Sequence, residues 1–600
     1  MAEKVRLADW LMDALQRSGV RHVFFVPGGG AMHLNDAAGL HDGLEIVSML
    51  HEQAAAVAAE AYAKASGVPA LCLVTAGPGG TNAVTGVAGA WLDSTPMIVV
   101  SGQVKRDDLI GSTGVRQRGV QEVDIVSIVR PITKYAVQVV DPTSIRYHFQ
   151  RAFHAATTGR PGPVWLDLPL DVQAAPVDPD SLEGYQPSDT ATPDLLSPQA
   201  VGEAAQTIVA MLRSASRPLV YLGAGVRLAG AEAQVRTFVE RLQAPVICTW
   251  PARGIVGDDH HLFVGAPGAL APRGANFALQ NADLLLCLGT RLDLATTGYD
   301  PKDFGRNAAK IVVDIDPAEL AKLEGAITYP ICADIGTVVD ALLLHTESTE
   351  PLDLDDWRAR CSHWRDQYPL VRDEHRASSD HISTYHFADV LSKLIGDDDV
   401  LAPCSSGLGI EIFLLCLRMR TGQRATFNPA LGAMGYGPPS AVGACLGSDR
   451  RRTICVDGDG GLQLNVQELE TIRRLHLPVK LFVLSNDGYA SIRASQSRWF
   501  GRVVGADAGS GLTLPPLEAI AGAYGLPYTK LDGHLDLEPQ IRSVLESDGP
   551  VVCDVVSPPN ELRGPSQISE ATPTGGMRSR PIEDLAPLLP RDEFSRNMLS

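Results

Sequence analysis

Paired cysteines are missing from this chain. Its ten cysteines in 600 residues stand singly, several inside apolar stretches such as "LCLV" and "LLLCLG", and no two have Cys-x-x-Cys spacing. That excludes a zinc knuckle or a dithiol redox motif and fits reduced thiols in a cytosol-like compartment. Aromatic residues are scarce at 6%, and positive charge is in deficit, with a formal net charge of −19. The charge argues against nonspecific binding to nucleic acid or an anionic membrane. No apolar run approaches the roughly 18 residues of a membrane-crossing helix. The opening "MAEKVRLADWLMDALQRSGV" reads as an amphipathic helix rather than a signal peptide. A soluble, cytoplasmic protein is expected, without nucleic-acid or membrane partners.

What is present is an α/β pattern. Hydrophobic residues make up 45% of the chain, and 57 glycines supply turns. At roughly 100–200 residues per domain, the length allows three to five domains. Three βα-rich blocks are expected, at 1–175, 196–345 and 378–560, followed by a Pro-rich tail over 561–600. The segment "PVDPDSLEGYQPSDTATPDLLSPQ" between the first two blocks reads as a solvated linker. Acidic residues from Glu347 to Asp356 precede a charged helix and a second boundary near Ser378. The tail offers no amphipathic helix.

The chemistry concentrates in two places. "ICVDGDGGLQLNVQELETIRRLHLPVKLFVLSNDGYASI", from Ile454 to Ile492, reads as a strand, a glycine turn, a helix over 466–476 and a second buried strand over 479–484. A strand–helix–strand unit with parallel strands brings both following loops to one sheet edge, where open α/β sheets bind ligands. Asp459 and Asn486 would then meet across one crevice as hard oxygen ligands, which suits magnesium holding a phosphate better than zinc. The second place is "SMLHEQAAAVAAEAYAKASG", where Glu52 opens an Ala-rich helix that Gly67 closes. An acidic residue there also suits the positive end of the helix. The next strand, however, ends in "LVTAGPGGTNAVTG", a glycine turn suited to a ligand's close approach. A buried Glu beside it could exchange a proton with a heterocyclic nitrogen.

These motifs, with "LGAMGYGPPSAVGA" and "VLSNDGYAS", resemble the thiamine diphosphate enzymes of the acetohydroxyacid synthase group over most of residues 4–560. The resemblance implies three doubly wound parallel-sheet domains: pyrimidine-binding, central Rossmann-like and diphosphate-binding. It implies that Asp459, Asn486 and the Gly488 carbonyl hold magnesium against the diphosphate. Glu52 would hydrogen-bond the aminopyrimidine and promote removal of the thiazolium proton, with Gln121 as a second catalytic candidate. Met434 would sit beneath the cofactor. Pro27, Gly28, Gly29, Thr75, Pro78, Asn82, Gly407, Gly458, Gly460 and Gly461 complete its expected surroundings. "YLGAGVRLAG", "GALAPRGANFA", "LGTRLDLATTG" and "VDIDPAEL" resemble the segments that cradle FAD, with Gly223, Gly225, Arg273, Arg291, Asp314 and Asp316 as candidates. Family members place the Glu and the metal site on different subunits, so a homodimer or homotetramer is implied.

Some positions depart from the family. Gly407, Leu408, Gly409 and Ile410 stand where synthases carry Gly-Gln-His-Gln. Val120 replaces an aromatic residue, Ser485 an Asn and Ser495 a Trp that favours 2-ketobutyrate. Small residues beside Arg493 suggest an acceptor larger or more polar than pyruvate. The leading expectation is a carboligase that decarboxylates a 2-oxo acid, pyruvate foremost, and adds the acyl carbanion to a second carbonyl. Alternatives are a keto-sugar acceptor, hydrolysis of a cyclic diketone as in the family's cyclohexane-dione hydrolase, a pyruvate-oxidase-like flavoenzyme and an inactive paralogue. Lys134 reads as a surface lysine, although its family counterpart lies near the acceptor entrance, and Arg116 and Arg118 read as solvated or as meeting a carboxylate.

Overall fold

Parallel strands dominate each of the three blocks in the computed structural model, which describes residues 4–189, 195–323, 325–347, 350–377, 379–571 and 575–599. The first sheet contains β1 (His22–Phe25), β2 (Glu45–Ser48), β3 (Leu71–Val74), β4 (Met97–Gln103), β5 (Tyr135–Gln138) and β6 (Pro163–Pro169). Their order is β2-β1-β3-β4-β6-β5, all parallel. The chain reverses its direction of winding between β1 and β3, the kind of switch point at which α/β folds bind ligands. Successive residues of β3 show why both faces must be covered. Leu71 and Leu73 enter one hydrophobic core, while Cys72 and Val74 enter another.

Helix α1 (Glu52–Ser66) begins and ends where the sequence predicts. The His51 ring accepts a hydrogen bond from the Gln53 amide at 3.1 Å, and Gly67 closes the helix at φ +77°. Helix α2 (Pro78–Leu92) follows β3 and packs against α1.

The central sheet holds β7 (Pro218–Leu222), β8 (Val246–Cys248), β9 (Phe263–Gly265), β10 (Leu284–Leu288), β11 (Ala309–Asp314) and β12 (Tyr329–Cys332). Its order is β9-β8-β7-β10-β11-β12, again parallel. Helices α3 (Arg273–Asn281) and α4 (Asp355–Gln367) pack together beside it.

The third sheet holds β13 (Val400–Pro403), β14 (Thr453–Gly458), β15 (Val479–Ser485), β16 (Tyr528–Lys530) and β17 (Val551–Val556), in the parallel order β13-β14-β15-β17-β16. Its helices include α5 (Leu408–Cys416), α6 (Gly437–Gly447), α7 (Glu468–Arg474) and α8 (Ala490–Phe500). Helix α7 is shorter than the 466–476 its apolar periodicity suggests, since Val466 and Gln467 form a turn before it and His476 leaves the helix at φ +49°. The α/β expectation of three doubly wound parallel-sheet domains therefore holds.

Two expectations change. Leu182 and Tyr185, inside the segment read as a solvated linker, are buried against the first domain, and the Tyr185 amide donates to Gln150 Oε1 at 2.9 Å. Residues 190–194 of that segment, and Ser378 at the second boundary, lie outside the described residues. The tail carries a helix after all, α9 (Arg591–Asn597). Its Phe594, with Met598, packs onto the central core, and Asn597 Oδ1 accepts the Trp364 indole N–H at 2.8 Å. Short length hid it, since a seven-residue helix contains too few turns to show periodicity.

Candidate functional site

In the first domain, the loops after β1, β2 and β3 meet at the C-terminal edge of the sheet. The first carries Pro27, Gly28 and Gly29, the second Glu52, and the third Thr75 and Pro78. The Gly30 amide donates to Thr75 Oγ1 at 3.1 Å, and a Cβ on Gly28 would lie 2.5 Å from the Thr75 side chain. Glycine is therefore required for this approach. The Glu52 carboxylate is 9% exposed and accepts a hydrogen bond from Asn82 Nδ2, in α2, at 2.9 Å. A Cβ on Gly79 would meet the Thr75 methyl at 2.8 Å and stand 3.6 Å from the other Glu52 oxygen, so glycine here lets α2 start close against Thr75.

Gln121 adjoins this edge by its backbone, with its carbonyl against Gly77, and holds φ +63°. The neighbouring carboxylate of Glu122, which the sequence did not single out, organises the loop. It is buried and accepts the backbone amides of Ile110, Arg118 (3.0 Å) and Gly119 (2.9 Å). Val120, at the loop's crest, is 87% exposed.

In the third domain, the loops after β13, β14 and β15 converge in the same way. Asp459 Oδ2 accepts the amides of Asn486 at 3.0 Å and Gly488 at 3.2 Å, so the two loops of the opening motif do meet. Burial pushes the Asp459 carboxyl above the usual carboxylate range, against the pull of the Gly488, Gly460 and Asn486 amides. Asn486 Oδ1 is buried without a hydrogen-bond partner. A carboxylate that burial disfavours, beside an orphaned amide oxygen, is a pair of hard donors that a divalent cation would satisfy. Among the described residues no cluster of three His, Cys, Asp or Glu side chains offers a rival metal site.

Gly458 has open space where a Cβ would be, whereas a Cβ on Gly460 would strike the Tyr489 ring at 2.6 Å and one on Gly461 would meet Asp457 at 2.8 Å. Burial raises Asp457 to about 7. The loop bearing Met434 is pinned beside this site through Asn465 Nδ2, which donates to the Gly435 carbonyl at 2.7 Å.

Between the three domains lies a cavity of about 1170 Å³. Gly225, Arg291 and Asp314 line it from the central domain, and Gly407 with Arg424 from the third. Lys64 and Asp93 come from the first domain, and Arg563 and Gln567 from the tail, none of which the sequence indicated. Burial raises the Asp314 carboxyl to about 6.

Three flavin candidates do not reach this cavity. Gly223 is needed for packing instead, since a Cβ there would lie 2.0 Å from the Gly289 carbonyl oxygen. Arg273 donates to the carbonyls of Leu585 (2.9 Å) and Pro587 in the tail. Asp316 caps the helix Pro317–Ala321 and pairs with Arg160 at 2.8 Å. Arg493 also departs from expectation. It is 6% exposed and engaged by backbone carbonyls, so it presents no free charge to an acceptor.

Comparison with known proteins matches this arrangement. Residues 5–128 match the N-terminal TPP binding domain of thiamine pyrophosphate enzymes, residues 205–342 their central domain and residues 411–555 their C-terminal TPP binding domain. The acetolactate synthase isozyme 2 large subunit of Escherichia coli (strain K12) is 33% identical over 587 residues, covering 96% of this chain and 100% of that one. Acetolactate synthase 1, chloroplastic, of Zea mays is 33% identical over 95% of this chain and 87% of its own. The acetolactate synthase large subunit of Porphyra purpurea is 32% identical over 92% of both chains. Three matched domains in order and relatives aligned along nearly the whole length lead to one assignment: the chain belongs to the thiamine pyrophosphate enzymes and is an acetolactate synthase-like, thiamine diphosphate-dependent carboligase.

Proposed function

We propose that this enzyme decarboxylates pyruvate and joins the acyl unit to a second 2-oxo acid, with pyruvate itself as the first acceptor to test. The observation that carries the reading is the orphaned Asn486 Oδ1 beside the half-buried Asp459, at the strand ends of a domain that matches the family's C-terminal TPP binding domain. Asp459, Asn486 and the Gly488 carbonyl would hold magnesium, and the metal would hold the diphosphate. Once bound, thiamine diphosphate supplies a carbon nucleophile that also serves as the electron sink for decarboxylation.

The chain's own part is to position and to manage a proton. Asn82 orients the Glu52 carboxylate, and Glu52 would share a proton with a ring nitrogen of the cofactor. Pro27, Gly28, Gly29, Thr75 and Pro78 would border that ring, Met434 would sit beneath the cofactor, and the glycines at 458, 460 and 461 would border its other end. Gln121 would face the acceptor. The domains at 1–175, 196–345 and 378–560 would carry the pyrimidine, the flavin and the diphosphate.

The three-domain cavity supports FAD as a second cofactor, with Gly225, Arg291 and Asp314 along it. Exposed apolar side chains support a homo-oligomer whose sites form between copies: Met32, Leu50 and Val120 near one half-site, Met434, Leu464 and Ile492 near the other. No helix among the described residues is long and apolar enough to cross a membrane, and a cytoplasmic location fits the lone cysteines. With Arg493 withdrawn, the argument for a more polar acceptor loses its cation.

The test is product analysis with pyruvate as sole substrate, plus thiamine diphosphate, magnesium and FAD. Acetolactate is the expected product. Carbon dioxide release without acetolactate would restrict pyruvate to the donor role.

A further inference from the structure

Arg493 lies in the first turn of α8, and its guanidinium converges on the loop that carries Asn486 and Gly488. Nη2 donates to the Asn486 carbonyl at 2.7 Å and to the Pro559 carbonyl at 2.5 Å. Nη1 donates to the carbonyls of Asp487 at 2.9 Å and Ala506 at 3.3 Å. The Asp507 carboxylate stands 4.0 Å from Nε. A planar cation with several fixed donors, buried among backbone oxygens, acts as a clamp on the chain segments that supply them.

The clamped segment is held in an uncommon shape. Asp487 has φ +65° and Gly488 φ +109°. A non-glycine residue in that region is uncommon and persists where its surroundings impose it. The loop thus has two faces. Its carbonyls at 486 and 487 turn to Arg493, while its amides at 486 and 488 turn to Asp459 Oδ2. Asn486 Oδ1 is left unsatisfied. Removing the guanidinium frees two neighbouring carbonyls to rotate, and with them the donors on the other face.

We infer that Arg493 is a positioning residue that presets the 485–488 loop to receive the divalent cation. The inference rests on the metal reading of Asp459 and Asn486 given above. It sets Arg493 outside the ligand set and outside the substrate pocket.

The probe is Mn²⁺, titrated by electron paramagnetic resonance into the full chain with thiamine diphosphate. Arg493→Met is expected to weaken Mn²⁺ binding by about 10–100-fold, the usual effect of losing an outer-shell partner. Arg493→Lys, which restores a charge but not the fork, should recover part of the loss. At saturating metal, kcat should return to within a few-fold of wild type, with KM for the 2-oxo acid unchanged. Wild-type Mn²⁺ affinity in Arg493→Met, while Asp459→Ala abolishes binding, overturns the clamp and leaves the metal site standing. A raised KM that saturating metal does not correct also overturns it, by placing Arg493 at the substrate. Unchanged Mn²⁺ affinity in Asp459→Ala overturns the metal reading and the clamp together. If Arg493→Met does not fold by circular dichroism, Arg493→Lys is read alone, and wild-type affinity there is again decisive against the clamp.

Discussion

Glu52 accepts a side-chain hydrogen bond from Asn82 and stands beside Gly79. Glu52→Gln keeps the shape and the partner but cannot take up a proton. It should retain cofactor and metal while slowing proton exchange at the thiazolium carbon by orders of magnitude, read by deuterium exchange and NMR. Unchanged exchange would remove Glu52 from the reaction. A second residue makes a pH-dependent prediction away from the site. Burial raises the Asp167 carboxyl to about 6, against hydrogen bonds from Ser101, Gln138 and Gln103. The folded form then holds this proton more tightly than the unfolded form, whose Asp titrates near about 4. Between about pH 4 and 6 the folded state binds more protons, so the stability Asp167 contributes falls as pH rises and is level above that window. Denaturant midpoints of wild type minus Asp167→Asn should track this fall and flatten above pH 6. What was legible in the sequence follows one pattern. Glu52, Asp459 and Asn486 sit at fixed offsets from strand ends, and local periodicity places those ends. Arg273 was not legible, because its partner carbonyl at Leu585 is 312 residues away, and nothing local to either segment records the pairing.

At the scale of elements, α1 and α6 make the closest interdomain packing. Ala54, Ala55, Ala58 and Ala59 of α1 share a core with Ala441, Val442, Ala444 and Cys445 of α6. Gly443 permits this approach, since a Cβ there would lie 1.9 Å from the Ala58 carbonyl oxygen. Gly443→Ala should therefore destabilise by about 1–3 kcal/mol or more, seen as a lowered Tm. Gly202, inside the helix Pro198–Ser214, has nothing within 4 Å of its notional Cβ. Gly202→Ala should raise Tm, by about 0.4–1 kcal/mol in stability, through a restricted unfolded chain. The Ala-rich run of α1 announced a helix, and its Gly67 stop was equally plain. That the helix would be buried on nearly every side, against another domain, was not, since alanine is tolerated at surface and core alike.

Across the whole molecule, the first and third domains are joined by a partly buried polar cluster at the edge of the cavity. Lys64 Nζ contacts Glu60 at 2.7 Å, Asp93 at 2.8 Å and the Phe427 carbonyl at 2.7 Å, and Asn428 Nδ2 donates to Glu60 at 2.6 Å. Burial pushes the Glu60 carboxyl up against the pull of Lys64. Burial also opposes the Lys64 charge, but Asp93 and Glu60 outweigh it. Lys64→Met would leave the buried Glu60 and the half-buried Asp93 without their cation, so a loss of about 3 kcal/mol is expected, with early separation of the two domains on heating. Limited proteolysis of the variant during a thermal ramp reads that separation.

The tail joins the third domain to the central one. Residues 563–569 run along the cavity wall, and α9 then seats Phe594 on the central core, whose strands span residues 218–332. Ribosomes deliver a chain from its N-terminus, and domains generally begin to fold in that order. The central domain therefore emerges with an open seam, its Trp364 indole and Asn281 amide still without Asn597. It must wait, through the synthesis of an entire further domain, for the segment that closes it.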